Sequence, residues 1–193
     1  MNTICQYYFE NFGCKLEKGF YIEIGAFNGA KQNSTIVLEQ SGWEGVCVEP
    51  MPANIRRLKK NRKCRIVEGA IWTENGTVEF ADVGIPGWTG IAETHQQQHK
   101  EKYKDGVTKI TVPCYTFDSL ELPTHIDYFQ IDTEGSELQI LGSIDMTEYK
   151  IDYICIEDNL AMLEGSTTYH AFMIDKGYEL VHTIVQDRLY RKL

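Results

Sequence analysis

The segment Phe20-Tyr21-Ile22-Glu23-Ile24-Gly25-Ala26-Phe27-Asn28-Gly29 decides the fold of this 193-residue chain. Its first half is an apolar run that predicts a buried strand, and its glycines predict a tight turn directly after that strand. Residues 34–41 then predict a helix, with Asn33 or Ser34 as its cap and Gly42 as its end. A strand, a turn and a helix in this order are the unit from which parallel α/β sheets are built.

The same alternation runs through the rest of the chain. Further strands are predicted at 45–49, 65–71, 77–80, 109–113, 126–132 and 151–157, and helices at 52–61, 137–141 and 168–176. Asn75-Gly76 predicts a hairpin, and residues 178–189 predict a second, C-terminal antiparallel hairpin. We therefore expect one α/β domain over residues 1–193, with a mostly parallel sheet and helices on both faces.

Residues 84–105 interrupt this alternation. They read GIPGWTGIAETHQQQHKEKYKD, which is polar, rich in glycine and without a sustained period. Long irregular segments inside compact domains are usually functional loops. We expect an irregular lid or acceptor-binding insertion at about 84–112.

Composition and charge exclude several classes of protein. The chain has 28 acidic and 19 basic residues, a formal charge of −9, which argues against nucleic acid as a partner. The basic run 56–63 is expected to be a solvated helix face. No apolar run approaches the ~18 residues of a membrane span. The N-terminus lacks the features of a signal peptide, and the six cysteines show no CxxC or zinc spacing, so we expect a cytoplasmic protein with reduced thiols.

Polar groups gather where the predicted strands end. Ligands of open α/β sheets bind outside the carboxyl ends of the strands, and here those ends hold 25–29, Glu49-Pro50, 132–135 and 157–159. The first turn has GxxxG spacing, not the GxGxxG of dinucleotide sites, and the chain contains no P-loop. Glu49 can accept hydrogen bonds from both ribose hydroxyls. A nucleoside cofactor without a pyrophosphate, S-adenosyl-L-methionine, fits both features, and its sulfonium cation suits an acidic pocket.

Four segments resemble the FkbM-type S-adenosylmethionine-dependent methyltransferases. They are IEIGAFNG (22–29), NSTIVLEQSGWEGVCVEP (33–50), NRKCRIVEGAI (61–71) and IDTEGSE (131–137). The resemblance implies a seven-stranded class I methyltransferase (Rossmann-like) sheet. It also implies O-methylation of a sugar hydroxyl in a glycan or glycosylated product.

The resemblance also implies roles for individual residues. Phe27 departs from the family, which often has a small or polar residue there. The cofactor set implied is Gly25, Ala26, Asn28 and Gly29 around the methionine end, Thr35 at its carboxylate, Glu49 at the ribose, Ala70 and Ile71 beside the adenine, and Asp132 beneath the sulfonium.

Two interpretations of proton removal from the acceptor stay open. In the first, Asp132 or Glu134 is the base, or His95 reaches in from the lid while Trp88 stacks on a sugar. In the second, Asp132 with Asp158 and Asn159 binds Mg²⁺ or Mn²⁺, as similar residues do in catechol-type O-methyltransferases.

The alternatives are a catechol-type metal-dependent enzyme for small molecules, an RNA methyltransferase, and a non-catalytic nucleoside-binding module. The RNA enzyme would need a basic groove, which this composition hardly provides. Because little chain remains for acceptor recognition, we expect a homodimer or a partner glycosyltransferase beside the sugar or glycan acceptor.

Overall fold

The computed structural model describes residues 3–30, 35–85, 87–98, 103, 106–158 and 168–193. The strands are β1 Phe20–Ile24, β2 Glu44–Glu49, β3 Arg65–Glu68, β4 Ala70–Ile71, β5 Gly76–Asp82, β6 Thr89–Ile91, β7 Thr108–Tyr115, β8 His125–Ile131, β9 Lys150–Glu157, β10 Tyr178–Ile184 and β11 Asp187–Lys192. The helices are α1 Ile4–Asn11, α2 Ile36–Gln40, α3 Pro52–Asn61, α4 Ala92–Gln98, α5 Glu137–Ser143 and α6 Thr168–Asp175. Short 3₁₀ turns lie at Gly13–Lys15 and Asp118–Leu120.

Seven strands form the main sheet, in the order β3-β2-β1-β8-β9-β11-β10. The five strands from β3 to β9 are parallel, whereas β11 pairs antiparallel with β9 and with β10. The predicted mostly parallel sheet with a C-terminal antiparallel hairpin is confirmed. The chain leaves β1 towards β2 on one side and later returns as β8 on the other. This reversal opens a crevice at their carboxyl ends.

Both faces of the main sheet are buried. Side chains alternate along a strand, so Ile22 and Ile24 of β1 join one apolar cluster while Tyr21 joins another. Phe129 and Tyr128 of β8 divide between the same two clusters. The near-continuous apolar strands seen in the sequence follow from this double burial.

A second, four-stranded sheet has the order β4-β7-β5-β6 and corrects two predictions. Residues 65–71 are not one strand, because the chain leaves the main sheet after β3 and enters the second sheet as β4. A Cβ atom on Gly69, at this crossing, would lie 2.8 Å from the Pro113 carbonyl oxygen. The predicted Asn75-Gly76 hairpin is also wrong, because β4 and β5 both pair with β7. Asn75 instead accepts hydrogen bonds from the Thr116 amide and the Ser119 hydroxyl.

The segment predicted to be irregular contains two regular elements. Strand β6 pairs antiparallel with β5, with Ile91 opposite Phe80, and α4 follows it directly. Ile91, Thr94 and His95 are buried, and no periodicity in this polar stretch predicts that burial. Residues 86, 99–102, 104 and 105 lie outside the described residues. The lid or acceptor-binding role of 84–112 stays a prediction.

Helix α3 separates two kinds of basic residue. Arg56, Arg57, Lys59 and Lys60 are exposed, as expected of a solvated face. Arg62, which follows the helix, is only 4% exposed, so its assignment to that face is wrong. Across the described part of the chain, no helix combines the length and the apolar character that crossing a bilayer requires.

Candidate functional site

The turn after β1 brings three strand ends together. The amides of Gly25 and Ala26 both donate to the Val48 carbonyl on β2, each at 3.0 Å. Gly25 has φ +86, and a Cβ atom there would lie 1.7 Å from the Asp132 carbonyl oxygen after β8. No side chain fits in this space, so both the positive φ angle and the close backbone contact require glycine at this position. Gly25, Ala26 and Asp132, which the sequence assigned to the cofactor, therefore lie at one edge.

Glu49 organises the same turn from the end of β2. One carboxylate oxygen accepts a hydrogen bond from the Phe27 amide at 2.8 Å, and the other accepts from the Met51 amide and from Asn54. Phe27 has φ 48, a left-handed conformation that these bonds help to hold. Phe27 thus serves the turn through its backbone. Because a carboxylate has about four acceptor positions, these three hydrogen bonds leave about one on Glu49, and its contact with a ribose stays a prediction.

Burial shapes the chemistry of Glu49, which is 3% exposed. Burial raises the pKa of its carboxyl group to about 7, against the opposing effect of the hydrogen bonds from Met51, Asn54 and Phe27. Glu49 therefore titrates in the physiological range, where carboxylates seldom do.

A buried ionic network lies beneath the glycine turn. Glu23 of β1 accepts hydrogen bonds from the Thr35 amide at 3.1 Å, from the Thr35 hydroxyl at 2.6 Å and from Arg62 at 3.1 Å. Arg62 also donates to Glu39, to the Tyr21 hydroxyl and to Thr35. The network fixes the start of α2 against β1. Since both Thr35 donors face Glu23, the predicted contact of Thr35 with the cofactor carboxylate stays a prediction.

Asn28 and Gly29 complete the turn. The Asn28 side chain accepts from the Ala30 amide, and its backbone carbonyl accepts from Asn61 at the end of α3. Gly29 has φ +71. The turn is thus tied to α3 as well as to β2, and residues 31–34 that follow it lie outside the described residues.

Ala70 and Ile71 lie next to Glu49, as their predicted place beside the adenine requires. The Gly69 amide donates to the Glu49 carbonyl at 3.1 Å, and Ala70 follows directly. Both residues are buried, at 4% and 1% exposure. Their contact with adenine stays a prediction.

Three carboxylates gather beyond β8 and β9. Carboxylate oxygens of Asp132, Glu134 and Glu157 all lie within 4.8 Å of one another. Burial, and then the charge of Glu157, raise the pKa of Asp132 well above its ordinary value. Glu134 has φ 56, and its loop is held by Glu137, which accepts hydrogen bonds from the Thr133 and Gly135 amides.

This trio differs from the predicted metal ligands. The buried Asp158 carboxylate forms an ion pair with Arg188 at 3.1 Å, and Asn159 lies outside the described residues. Oxygen-only donors at this spacing suit a hard divalent cation, so Asp132, Glu134 and Glu157 are the residues that could hold one. The predicted set of Asp132, Asp158 and Asn159 stays a prediction.

His95 is buried in α4, and its Nδ1 lies 3.0 Å from the Tyr103 hydroxyl. A Cβ atom on Gly90 would lie 3.0 Å from the His95 ring and 3.1 Å from the Glu134 carbonyl oxygen. Strand β6 therefore places His95 beside the loop that carries Glu134. Trp88, two residues before Gly90, is 36% exposed.

The sequence analysis did not assign three residues that organise the site: Glu23, Arg62 and Glu137. Glu23 interrupts an apolar strand, which is a detectable signal of a buried charge that needs a partner. Arg62 was hidden in a run of exposed basic residues. Glu137 is 1% exposed and accepts a hydrogen bond from the Tyr169 hydroxyl at 3.0 Å, a distant contact that no local pattern predicts.

The fold and this site define a class I, Rossmann-like methyltransferase domain. The family described as "Methyltransferase FkbM domain" matches residues 23–186, so the chain belongs to that family, as the motifs predicted. A protein of Jannaschia sp. (strain CCS1) described as "Putative methyltransferase" is 28% identical over 120 residues, which are 60% of this chain and 42% of that protein.

The crystal structure of methyltransferase FkbM from Methylobacillus flagellatus KT shares this fold at 15% identity. Its TM-score with this chain is 0.58, over 97% of this chain and 50% of that one. The chain thus spans half or less of the length of these two relatives.

Proposed function

We propose that this protein is an S-adenosylmethionine-dependent O-methyltransferase whose acceptor is a sugar hydroxyl of a glycan or glycosylated product. One observation carries the proposal: the glycine turn, Glu49 and the carboxylates of Asp132 and Glu134 converge on one edge of the sheet. Membership of the FkbM family supports it.

In this proposal the glycine turn, Glu49 and Asp132 each bind a different part of the cofactor. The glycines leave room for the methionine end to approach the backbone. Glu49 accepts from a ribose hydroxyl, while Ala70 and Ile71 pack against the adenine. The carboxylate of Asp132 faces the sulfonium cation, and its negative charge stabilises that cation.

Methyl transfer is then an in-line displacement. The acceptor oxygen attacks the methyl carbon, the carbon–sulfur bond breaks, and its electron pair stays on sulfur to give S-adenosylhomocysteine. The hydroxyl proton passes to Asp132 or Glu134. A carboxylate with a raised pKa is a stronger base, and this favours Asp132 for the task. Alignment of the two reactants supplies much of the acceleration, up to about 7–11 kcal/mol.

The carboxylate trio favours a second candidate, a catechol-type metal-dependent enzyme for small molecules. Asp132, Glu134 and Glu157 would hold Mg²⁺ or Mn²⁺ through oxygen atoms. When bound, such a cation lowers the pKa of an acceptor hydroxyl and stabilises the alkoxide. Activity that disappears with EDTA and returns with Mg²⁺ or Mn²⁺ supports this candidate, whereas activity indifferent to EDTA refutes it.

Calorimetry with S-adenosylhomocysteine tests the cofactor. We expect binding to the wild type, strong weakening by Glu49→Ala, and no change with Glu44→Ala. Glu44 is a matched control because it begins the strand that Glu49 ends and is exposed. Absence of binding to the wild type overturns the methyltransferase proposal.

An acceptor screen tests the substrate. Transfer of a labelled methyl group is measured on sugars and glycans, on catechols and on RNA. Methylated sugar is the expected product. Product on RNA alone would establish the RNA methyltransferase instead, and cofactor binding without turnover on any acceptor would indicate the nucleoside-binding module. The homodimer, the partner glycosyltransferase and the cytoplasmic location stay predictions.

A further inference from the structure

A cavity of about 530 Å³ opens at the amino ends of β1, β2 and β3, the edge opposite the glycine turn. Phe20 and Trp43 form part of its apolar wall. Its charged lining residues are of both signs: Lys63, Arg65, Glu39, Glu44 and Glu121. Cys64 also lines it. The cavity therefore gives small molecules access to one thiol on the side of the sheet that the methyltransferase site does not use.

Cys64 has a second thiol behind it. The sulfur atoms of Cys64 and Cys47 lie 3.5 Å apart, within hydrogen-bonding distance. Cys47 lies on β2 and is fully buried, whereas Cys64 is partly buried and precedes β3. Because Cys64 lies outside the regular strand, its backbone has room to adjust. The two sulfurs need to approach by about 1.5 Å to reach the length of a disulfide bond.

The surroundings give the two thiols different roles. The hydrogen bond with Cys47 lowers the pKa of Cys64, and the Tyr21 hydroxyl and the charge of Arg62 lower it further, against the opposing effects of burial and of the Glu39 charge. The same hydrogen bond, together with burial, raises the pKa of Cys47. Since the thiolate is the nucleophile, Cys64 is the thiol that reacts first and Cys47 the thiol that follows.

We propose that Cys64 and Cys47 form a redox-active dithiol that a small hydroperoxide, entering through the cavity, oxidises to a disulfide. The Cys64 thiolate attacks the outer peroxide oxygen, the O–O bond breaks, and the alkoxide leaves and takes up a proton as the alcohol. Cys64 becomes a sulfenic acid. The Cys47 sulfur then attacks the Cys64 sulfur, the S–O bond breaks, and the oxygen leaves as water. Two thiols lose two electrons, which reduce the peroxide.

The Cys47–Cys64 pair touches the buried ionic network beneath the glycine turn. The Cys47 sulfur is 3.7 Å from the Glu23 carboxylate, which holds Thr35 and Arg62. A disulfide removes the thiol hydrogen that Cys47 donates to Glu23. We therefore expect oxidation to weaken S-adenosylhomocysteine binding by about fivefold or more, a consequence that rests on the proposed function.

Peptide mapping after treatment with hydrogen peroxide tests the chemistry without reference to methyl transfer. Cys14→Ser serves as the background, because Cys14 is the exposed cysteine and would cross-link molecules. We expect a Cys47–Cys64 peptide about 2 Da lighter than the two thiols, reversed by dithiothreitol. Cys47→Ser should stop at the Cys64 sulfenic acid, trapped with dimedone, and Cys64→Ser should leave Cys47 as a thiol.

The deciding test treats the wild-type protein, which retains Cys14, with peroxide. The proposal is overturned if Cys14 is oxidised while Cys47 and Cys64 remain separate thiols. This arm uses no substitution, so it does not depend on a variant that folds. Calorimetry with S-adenosylhomocysteine before and after oxidation separates the two proposals. A disulfide in a protein that never binds the cofactor product refutes only the proposed function, and binding without a disulfide refutes only the dithiol.

Discussion

We expect Glu49 to make the binding of the proposed cofactor depend on pH. Its pKa of about 7 means that about 9% of the protein carries the ionised carboxylate at pH 6 and about 91% at pH 8. The ionised form offers the acceptor positions that a ribose hydroxyl needs. If only that form binds, the affinity for S-adenosylhomocysteine rises about tenfold, or about 1.4 kcal/mol, from pH 6 to pH 8.

Calorimetry at pH 6, 7 and 8 and constant ionic strength measures this change. The Glu49→Gln variant keeps the shape of the side chain but cannot ionise, so its affinity should be nearly constant over the same range. Binding to the wild type at pH 6 should also release about 0.9 proton, which titrations in buffers of different ionisation enthalpy detect. A wild-type affinity that stays constant, or a Glu49→Gln variant with the wild-type slope, refutes the reasoning.

The stability of the free protein should change in the opposite direction. The folded pKa of Glu49 is raised from 4.5, so the folded state favours the protonated group. This contribution is fully present below about pH 4.5 and is lost as pH rises through about 7, with an upper limit of about 3 kcal/mol. Urea unfolding should show the wild type losing stability relative to Glu49→Gln as pH rises along that interval.

Three further predictions concern the turn, the buried network and the acceptor. Gly25→Ala should lower the melting temperature far more than the control Gly42→Ala. Gly42 has the same left-handed strain but no neighbour within 4 Å, so its substitution should cost about 1–2 kcal/mol. Equal melting temperatures would show that the close approach at Gly25 does not contribute to stability. Arg62→Met should reduce the free energy of unfolding by about 3–5 kcal/mol, because it leaves Glu23 buried without this partner. The exposed Lys59→Met should cost less than about 1 kcal/mol, and urea titrations compare the two. Trp88→Ala should lower kcat/KM for a sugar acceptor about fivefold with unchanged affinity for S-adenosylhomocysteine, and a change in that affinity alone would contradict a role at the acceptor.

Much of the main sheet could be predicted from the sequence, because each of its strands carries a local signal. Each parallel strand is an apolar run closed by glycine or a carboxylate, and the motifs around Gly25 and Glu49 carry the family resemblance. The second sheet could not be predicted in this way. Strand β4 has two residues and β6 has three, too few for a period, and both depend on pairing with distant strands.

The site shows the same division between local and distant signals. Residues placed by the first turn, such as Gly25 and Ala26, were found because a turn after a strand has a local signature. Glu157 was not assigned to a group with Asp132 and Glu134, because it comes from another strand, and the sequence did not show that the Asp158 carboxylate pairs with Arg188 on β11. A carboxylate after a strand does not reveal whether it faces the pocket or an arginine.

The chain crosses into the second sheet at Gly69 and returns to the main sheet between β7 and β8. Between that residue and β8 the chain builds a sheet that pairs only with itself, while the main sheet closes around β1, β2 and β8. Insertions in the loops of the second sheet can therefore leave the register of the main-sheet strands unchanged. One contiguous stretch of sequence can vary in this way while β1, β2 and β8 keep their pairing.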